Sequence, residues 1–326
     1  LLNFSEKTLE KSLEPRPDSK NHDIMLKASV MAYTKGNNLF IINEKGEETA
    51  ITHDTLPGII NGQVVHRHEF GIQKGTFWSP DGSQLAFYRK DERMVSDYPL
   101  VDINQRMAQA KPIKYPMAGM KSHHVQLGIY NRNTDKTLFL DTGEPKDRYF
   151  TNIVWDPDGQ SLYIAEVNRD QNHMKMNQYD AQSGKLIKTL FEEKHPKYVE
   201  PLHPLVFLKS NPNRFLWQSR LNGYNHVYLY NTEGKMLNQL SQGEGEVTRV
   251  LGFDADEKNL FYVSCAQSPV ERHLYKANLN SGKVSRLTET AGVHRPKVSA
   301  DGHYILNEYS SLKTPRKINL INASGD

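Results

Sequence analysis

A strand–turn–strand pattern recurs along this chain, and its spacing limits the folds that the chain can adopt. In each copy a short apolar segment ends in a turn that contains Asp, most often followed by Gly. Asp-Gly tolerates the positive φ that tight hairpins require, and a preceding Pro presets the turn. The copies lie at residues 78–82 (WSPDG), 155–159 (WDPDG), 253–256 (FDAD) and 298–302 (VSADG).

A second marker gives the period of the repeat. Turns that end in glycine follow a strand at Gly184, Gly234, Gly282 and Gly325, at intervals of 50, 48 and 43 residues. Each unit holds about four short strands, and a period of about 40–50 residues is typical of propeller blades. We therefore predict an all-β fold, a β-propeller with about six four-stranded blades; a β-sandwich is the alternative.

The pattern also predicts where each blade begins and ends within a single propeller fragment, 1–326. Two insertions interrupt the repeat, and long insertions in an economical repeat are usually functional loops. The predicted ranges are 24–55 for a partial first blade, 56–75 for an insertion, 76–143 for a second blade with an inserted arm at 91–122, 149–193, 198–242 and 246–289 for the third to fifth blades, and 293–326 for a truncated sixth.

The composition excludes several classes of protein. The 326 residues carry 41 Lys and Arg against 38 Asp and Glu, a formal net charge of +3. This balance is unlike that of a nucleic-acid binder with clustered positive charge. The sequence has no apolar run long enough to span a membrane as a helix. Its single cysteine, Cys265, excludes an internal disulfide and a cysteine-based zinc site, and we predict no cofactor and no metal.

The first insertion carries four adjacent side chains that could bind a ligand, His66, Arg67, His68 and Glu69. Two histidines at this spacing with a carboxylate could bind a metal ion, but such a site needs a third partner that the sequence does not identify. The expected state of His68 is therefore an exposed side chain. We also expect His123 to lie on a loop surface.

An ordered set of motifs resembles the N-terminal propeller of the dipeptidyl peptidase IV family, within the prolyl oligopeptidase group of serine peptidases. The resemblance is greatest to the prolyl tripeptidyl peptidase branch and covers almost everything after residue 25. The motifs are residues 66–71 (HRHEFG), 77–82 (FWSPDG), 115–119 (YPMAG), 198–204 (YVEPLHP), 217–220 (WQSR), 226–230 (HVYLY) and 271–275 (ERHLY).

The resemblance implies a larger parent protein. Family members are similar in having an eight-bladed propeller over an α/β-hydrolase domain with a Ser-Asp-His triad, so about two blades and the catalytic domain lie outside this sequence. A nucleophile elbow needs Gly-x-Ser-x-Gly. The nearest stretch, residues 159–163, has Tyr163 in place of the second glycine. This chain is therefore not expected to perform acyl transfer by itself.

The resemblance also implies substrate-binding residues. In the dipeptidyl branch a Glu-Glu doublet on a propeller insertion binds the substrate's α-amine, and at the matching place this chain offers only Glu69. That difference favours the tripeptidyl branch, in which one propeller glutamate resembles Glu69. The alternative is a solvated loop carboxylate that caps a short helix. Arg67 would orient Glu69, lie in solvent or bind a substrate carbonyl, and Glu200 lies where the dipeptidyl branch presents side chains to substrate.

Other functions remain open at this point. A stand-alone propeller that binds a protein or glycan would lack a hydrolase domain, and a propeller glycosidase would need paired carboxylates across a central funnel. The resemblance implies an extracytoplasmic protein, periplasmic or on the cell surface, whose partners are a peptide substrate and the parent's α/β-hydrolase domain. Unpaired strand edges favour pairing between chains, which predicts either an open ring or a homodimer.

Overall fold

The computed structural model of the protein describes residues 2–3, 8–9, 13–299 and 301–323. Within them the chain forms six larger antiparallel sheets and two isolated hairpins. Parts of two predicted turns, Ala300 and Gly325, lie outside the described residues. The chain divides into two compact units, Leu1–Thr189 and Leu190–Asp326. No helical segment in the described part is long and apolar enough to cross a membrane.

The first unit contains two complete sheets, both isolated hairpins and most of a third sheet. One hairpin pairs β1 (Leu2–Asn3) with β2 (Thr8–Leu9). The first sheet has the order β3 (Lys20–Met25), β4 (Val30–Lys35), β5 (Asn38–Asn43), β6 (Glu48–Ala50). The second sheet combines β7 (Ile59–Asn61), β8 (Thr76–Trp78), β9 (Gln84–Asp91), β12 (His124–Asn131) and β13 (Lys136–Phe139). The second hairpin lies within the arm and pairs β10 (Asp97–Asp102) with β11 (Gln109–Lys114).

The remaining sheets repeat one up-and-down order. The third runs β14 (Arg148–Trp155), β15 (Ser161–Asn168), β16 (His173–Asp180), β17 (Leu186–Lys194). The fourth and fifth are β18 (Val206–Phe207), β19 (Arg214–Ser219), β20 (His226–Asn231), β21 (Met236–Gln239), and β22 (Val247–Phe253), β23 (Asn259–Ser264), β24 (His273–Asn278), β25 (Val284–Arg286). The last has three strands, β26 (Val293–Val298), β27 (Tyr304–Ser310) and β28 (Lys317–Asn322).

Two boundaries differ from the sequence-based expectation. The first sheet has four strands rather than a partial set, because β3 begins at Lys20, ahead of the predicted start at residue 24. The predicted insertion 56–75 also contains β7, which pairs with β9. Only the segment between β7 and β8 leaves the sheet. A single 3₁₀ turn at Leu26–Ala28 joins β3 to β4.

Strand β9 shows why these sequences form stacked sheets. Successive side chains of a strand point to opposite faces, and here both faces are buried. Leu85 and Phe87 join a core with side chains of the first sheet, while Ala86 and Tyr88 join a core with side chains of the third sheet. A strand packed on both faces must be apolar at every position, as this one is from Leu85 to Tyr88.

Candidate functional site

The segment between β7 and β8 is an excursion from a single edge position of the second sheet. Both strands pair with β9, with Asn61 opposite Arg89 and Thr76 opposite Phe87. Tyr88 continues the ladder across the gap, since its carbonyl accepts from the Gly62 N–H at 2.8 Å and its N–H donates to the Gly75 carbonyl at 3.0 Å. The chain therefore leaves the sheet after Gly62 and returns at Gly75.

The excursion closes through a glycine contact. A Cβ atom at Gly75 would lie 2.4 Å from the carbonyl carbon of Gly62 and 2.5 Å from the backbone of Gln63. Real Cβ atoms do not approach backbone so closely, so only glycine lets the two ends meet. Gly75 thereby fixes the base from which the polar side chains of the insertion project.

At its far end the excursion forms a strained turn, His66–Gly71, called here the HRHEFG turn. Four of its non-glycine residues have left-handed φ angles: His66 at 52°, Arg67 at 53°, His68 at 67° and Phe70 at 54°. Each such residue costs roughly 1–2 kcal/mol. Strain of this kind persists only where surrounding structure enforces it, and it is concentrated at functional sites. Glu69 alone among these residues keeps an extended backbone, with ψ at 152°.

The third sheet holds the C-terminal half of the turn. The buried side chain of Phe70 contacts Tyr149 edge to face, with ring centroids 5.1 Å apart. The Thr151 hydroxyl donates to the Phe70 carbonyl at 3.0 Å. Both partners belong to β14, a rigid strand, so the turn is fixed to the scaffold at this point.

A buried histidine pair holds the N-terminal half. The His66 N–H donates to Nε2 of His123 at 3.2 Å, and the two rings stack with centroids 4.6 Å apart. His123 was expected on a loop surface; instead it is buried, only 9% exposed. Burial lowers the pKa of His123 to about 4 and lowers the pKa of His66 as well. Neither ring nitrogen of His66 has a hydrogen-bond partner among the described residues.

The Arg67 side chain contacts the arm rather than Glu69. Its guanidinium donates to the Lys114 carbonyl and lies 4.5 Å from the ring centroid of Tyr115. This cation–π contact and hydrogen bond connect the turn to the last residue of β11 and to the residue that follows it. The contacts give Arg67 a role that was not among the sequence-based expectations, since they join the turn to the arm.

Glu69 is exposed, and its carboxylate has no hydrogen-bond or ion-pair partner among the described residues. It therefore caps no helix. Glu69 is one of the residues that line a pocket of about 490 Å³, whose wall also includes His123, Tyr149, Arg169 and the segment 114–118. An unpaired carboxylate at a pocket wall is free to bind a cation that enters.

The other charged side chains that line the pocket have partners within the described part of the chain. Lys90 pairs with Glu92 at 2.7 Å. Arg169 donates to the Tyr149 hydroxyl at 2.5 Å and lies 3.7 Å from Asp147. The remaining two are Arg67, bonded as described above, and Lys114, paired with Asp97 at 3.0 Å. Of the two acidic side chains that line the pocket, Glu92 is paired with Lys90, which leaves the carboxylate of Glu69 available to a cationic ligand.

Glu200 belongs to the second unit. It is exposed and lines a smaller pocket, of about 130 Å³, together with Glu193 and Arg220. Arg220 forms an ion pair with Glu246. Glu193 is buried, accepts a hydrogen bond from Trp217 Nε1 at 2.7 Å, and has a pKa raised by burial. Glu200 and Glu69 line different pockets. Among the described residues Glu200 interacts electrostatically with Arg220, and this interaction does not fix its role.

The histidines of the HRHEFG turn do not form a metal site. The His66 ring is packed against His123 and Tyr149, and His68 Nδ1 lies 3.1 Å from the Ile72 carbonyl oxygen. No group of three or more His, Cys, Asp or Glu side chains suited to a metal ion occurs among the described residues.

Sequence reasoning missed three residues of this site, His123, Tyr149 and Arg169. Tyr149 lies in β14 and Arg169 directly follows β15, and nothing in their local sequence distinguishes them from core and turn positions. His123 directly precedes β12, and its only signal is a polar residue at the end of an inserted arm. The role of His123 comes from a contact that spans 57 residues along the chain.

Comparison with known proteins places these features in a family. The model of the N-terminal region of dipeptidyl peptidase IV matches residues 3–316. Dipeptidyl aminopeptidase B of Saccharomyces cerevisiae is 27% identical over 311 residues, covering 87% of this chain and 38% of the yeast protein. Dipeptidyl-aminopeptidase B of Aspergillus niger is 27% identical over 320 residues, covering 88% of this chain and 35% of the other. The chain thus spans less than half the length of these relatives.

Two crystal structures are similar over 99% of this chain. One, of a protein from Bacteroides ovatus assigned as a dipeptidyl aminopeptidase IV, is 41% identical with a TM-score of 0.88, and the match covers 48% of that protein. The other, Porphyromonas gingivalis dipeptidyl peptidase 4, is 26% identical with a TM-score of 0.87, and the match covers 46% of it. Together with the repeated four-stranded sheets, these likenesses confirm the predicted all-β propeller fold.

Proposed function

This chain belongs to the dipeptidyl peptidase IV family, of which it forms the N-terminal region, and on that premise we propose that it controls access and binds the substrate's amino terminus in a serine exopeptidase. The parent enzyme releases di- or tripeptides after proline from peptide amino termini. The chain itself supplies no nucleophile, and the α/β-hydrolase domain of the same parent protein is its catalytic partner. The enzyme acts outside the cytoplasm, in the periplasm or on the cell surface.

One observation supports this proposal above the others: Glu69 is an unpaired carboxylate in the lining of a pocket whose other acidic side chain, Glu92, is paired with Lys90. The free amine of a peptide has a pKa of about 8 and is mostly cationic at neutral pH. A fixed carboxylate forms a charge-assisted hydrogen bond with such an amine. Glu69 thereby measures the distance between the amino terminus and the bond to be cut.

The same contact provides selectivity. A peptide with an acetylated amino terminus has no charge to offer, so it would leave Glu69 desolvated without a partner. Sites built to hydrogen-bond a substrate group strongly reject analogues that lack this group. A single carboxylate in place of a doublet favours the release of tripeptides over dipeptides.

The test is the Glu69→Gln variant of the full-length protein, assayed on matched di- and tripeptidyl-proline reporter peptides with free or acetylated amino termini. Loss of a charge-assisted hydrogen bond worth about 1.5–3 kcal/mol should lower kcat/KM on free-amine peptides about 10- to 150-fold. Hydrolysis of the acetylated peptides should change little.

Glu44→Gln is the matched control, because Glu44 is an exposed carboxylate in the turn between β5 and β6. It should leave kcat/KM on both kinds of peptide unchanged. If Glu69→Gln behaves like Glu44→Gln, the amine-anchoring role is wrong. The length of the released product, read by mass spectrometry, decides between dipeptide and tripeptide release.

A further inference from the structure

The HRHEFG turn is held at both ends by side chains distant in sequence. At its first residue the His66 N–H donates to His123 Nε2 at 3.2 Å. At its fifth residue the Phe70 carbonyl accepts from the Thr151 hydroxyl at 3.0 Å. We propose that His123 and Thr151 are positioning residues that hold the turn in its left-handed form and so aim Glu69, an inference that rests on the proposed function.

The need for external support follows from the backbone. Left-handed φ angles at His66, Arg67, His68 and Phe70 carry a summed cost of several kcal/mol at roughly 1–2 kcal/mol per residue. Within the described residues the turn's own backbone bonds are two, from His68 N–H to the Val65 carbonyl at 3.3 Å and from Ile72 N–H to the Glu69 carbonyl at 3.1 Å. The turn therefore depends on partners outside it.

The His66 amide shows why the partner at position 123 must be an acceptor. This N–H is buried, and a buried amide without a partner is rare and costly. His123 can accept it only through an unprotonated Nε2, and burial, which lowers the pKa of His123, keeps the ring neutral. A carbonyl oxygen on a side chain of similar reach could replace Nε2, whereas a hydrocarbon ring could not.

The arm adds a third support beside the histidine. His123 directly follows the arm, residues 91–122, and the arm's own Lys114 carbonyl and Tyr115 ring bind the Arg67 guanidinium. The second insertion and His123, the residue directly after it, thus contact the first two residues of the turn that the first insertion forms. Its expected role here is to hold Glu69 at a constant position.

The experiment uses the full-length protein with the variants His123→Phe, His123→Gln, Thr151→Val, Glu69→Gln and the double variant Glu69→Gln/His123→Phe. A misplacement of about 1 Å can cost up to about a hundredfold. We expect His123→Phe to raise KM for a free-amine peptide about tenfold, with kcat changed less than about threefold. Thr151→Val should act in the same direction more weakly, and His123→Gln should restore a near wild-type KM, because its amide oxygen accepts the His66 N–H.

The double variant separates positioning from direct contact. If His123 acts through Glu69, its removal should add nothing once Glu69 is Gln, so the double variant should have the KM of Glu69→Gln alone. Additive effects would overturn the inference, as would unchanged KM in His123→Phe while Glu69→Gln raises it. Should His123→Phe fail to fold, Thr151→Val decides, and an unchanged KM there also overturns it. If Glu69→Gln itself has no effect, the proposed function fails instead.

Discussion

The hairpin turn after β8 and the HRHEFG turn are both tight, yet their backbones are stabilised in opposite ways. In the hairpin turn the Ser79 hydroxyl donates to Asp81 at 2.6 Å, and Asp81 also accepts from the Ser83 N–H at 3.0 Å. The hydroxyl in turn accepts from the Gln84 N–H at 2.9 Å. Every partner lies within six residues, so the local sequence suffices to form the turn.

The HRHEFG turn uses partners far away in the sequence. Its amide and carbonyl contacts go to His123 and Thr151, 57 and 81 residues from their partners. Its conformation therefore depends on contacts with two other segments of the first unit. The comparison teaches that a repeat can be built from self-sufficient turns, while the one turn that departs from them depends on the rest of the unit.

The largest expected effect comes from breaking the base of the excursion. In Gly75→Ala the new Cβ would meet three backbone atoms at 2.4–2.5 Å. Because backbone cannot rotate away as a side chain can, we expect the free energy of unfolding to fall by about 3–5 kcal/mol, a cost reached only by severe overpacking. Urea unfolding of the full-length variant measures the loss.

Gly46→Ala is the control for this prediction, since a Cβ at Gly46 meets nothing within 4 Å, although its φ of +79° makes it strained. It should cost only about 1 kcal/mol, the strain of a left-handed residue. Equal unfolding midpoints for the two variants would show that the close contact at Gly75 does not constrain the excursion.

The next prediction concerns acid. The pKa of His123, about 4, is lower in the folded protein than the ordinary value of about 6.5. The unfolded chain therefore binds a proton first, so stability is greatest above about pH 6.5 and falls by about 3 kcal/mol as the pH drops to about 4. The charged or titratable side chains that act on the His123 ring are His66, Lys90, Arg67, Arg169 and His124.

The loss of stability between about pH 6.5 and about pH 4 should come from the HRHEFG turn and not from the hairpin turns. We expect His123→Gln to flatten the fall in unfolding free energy between about pH 6.5 and about pH 4, measured by urea unfolding of wild type and variant at matched pH. An undiminished fall in the variant would mean that other groups, and not His123, titrate with unfolding.

The same contrast explains how much of the molecule the sequence could predict. The continuous apolar run of β9 and the Asp-Gly turns are local signals, and they predicted strands, repeat and propeller. Glu69 could be proposed because its motif resembles that of a family. The contact by which His123 supports the turn could not be predicted, because a histidine at the end of a loop has the same local sequence whether it is exposed or buried. The burial of Glu193 could not be predicted for a similar reason. Glu192 and Glu193 are adjacent in β17, and a shift of one residue in the strand register would have exposed Glu193 and buried Glu192.

The smallest expected effect tests whether the hairpin turns are indeed self-sufficient. Asp81→Ala removes an acceptor for the Ser79 hydroxyl and the Ser83 N–H, and Asp301→Ala removes the matching acceptor for Ser299 and the His303 N–H in the last sheet. Asp81→Ala should lower the free energy of unfolding by about 1 kcal/mol, and Asp301→Ala should lower it in the same direction. These hydrogen bonds, that from Ser79 foremost, hold the pKa of Asp81 at about 2. The Asp81 contribution should therefore be present above about pH 4 and vanish as the pH falls toward 2.

Neither Asp variant should alter the KM for a free-amine peptide, because each turn is stabilised by its own side chains. Urea unfolding and the peptidase assay on the same samples measure both quantities. A raised KM in Asp81→Ala, without a matching change in Asp301→Ala, would show that the hairpin turn after β8 transmits its geometry to Glu69. The two kinds of turn would then be parts of one mechanical unit, and the contrast drawn between local and distant support would fail.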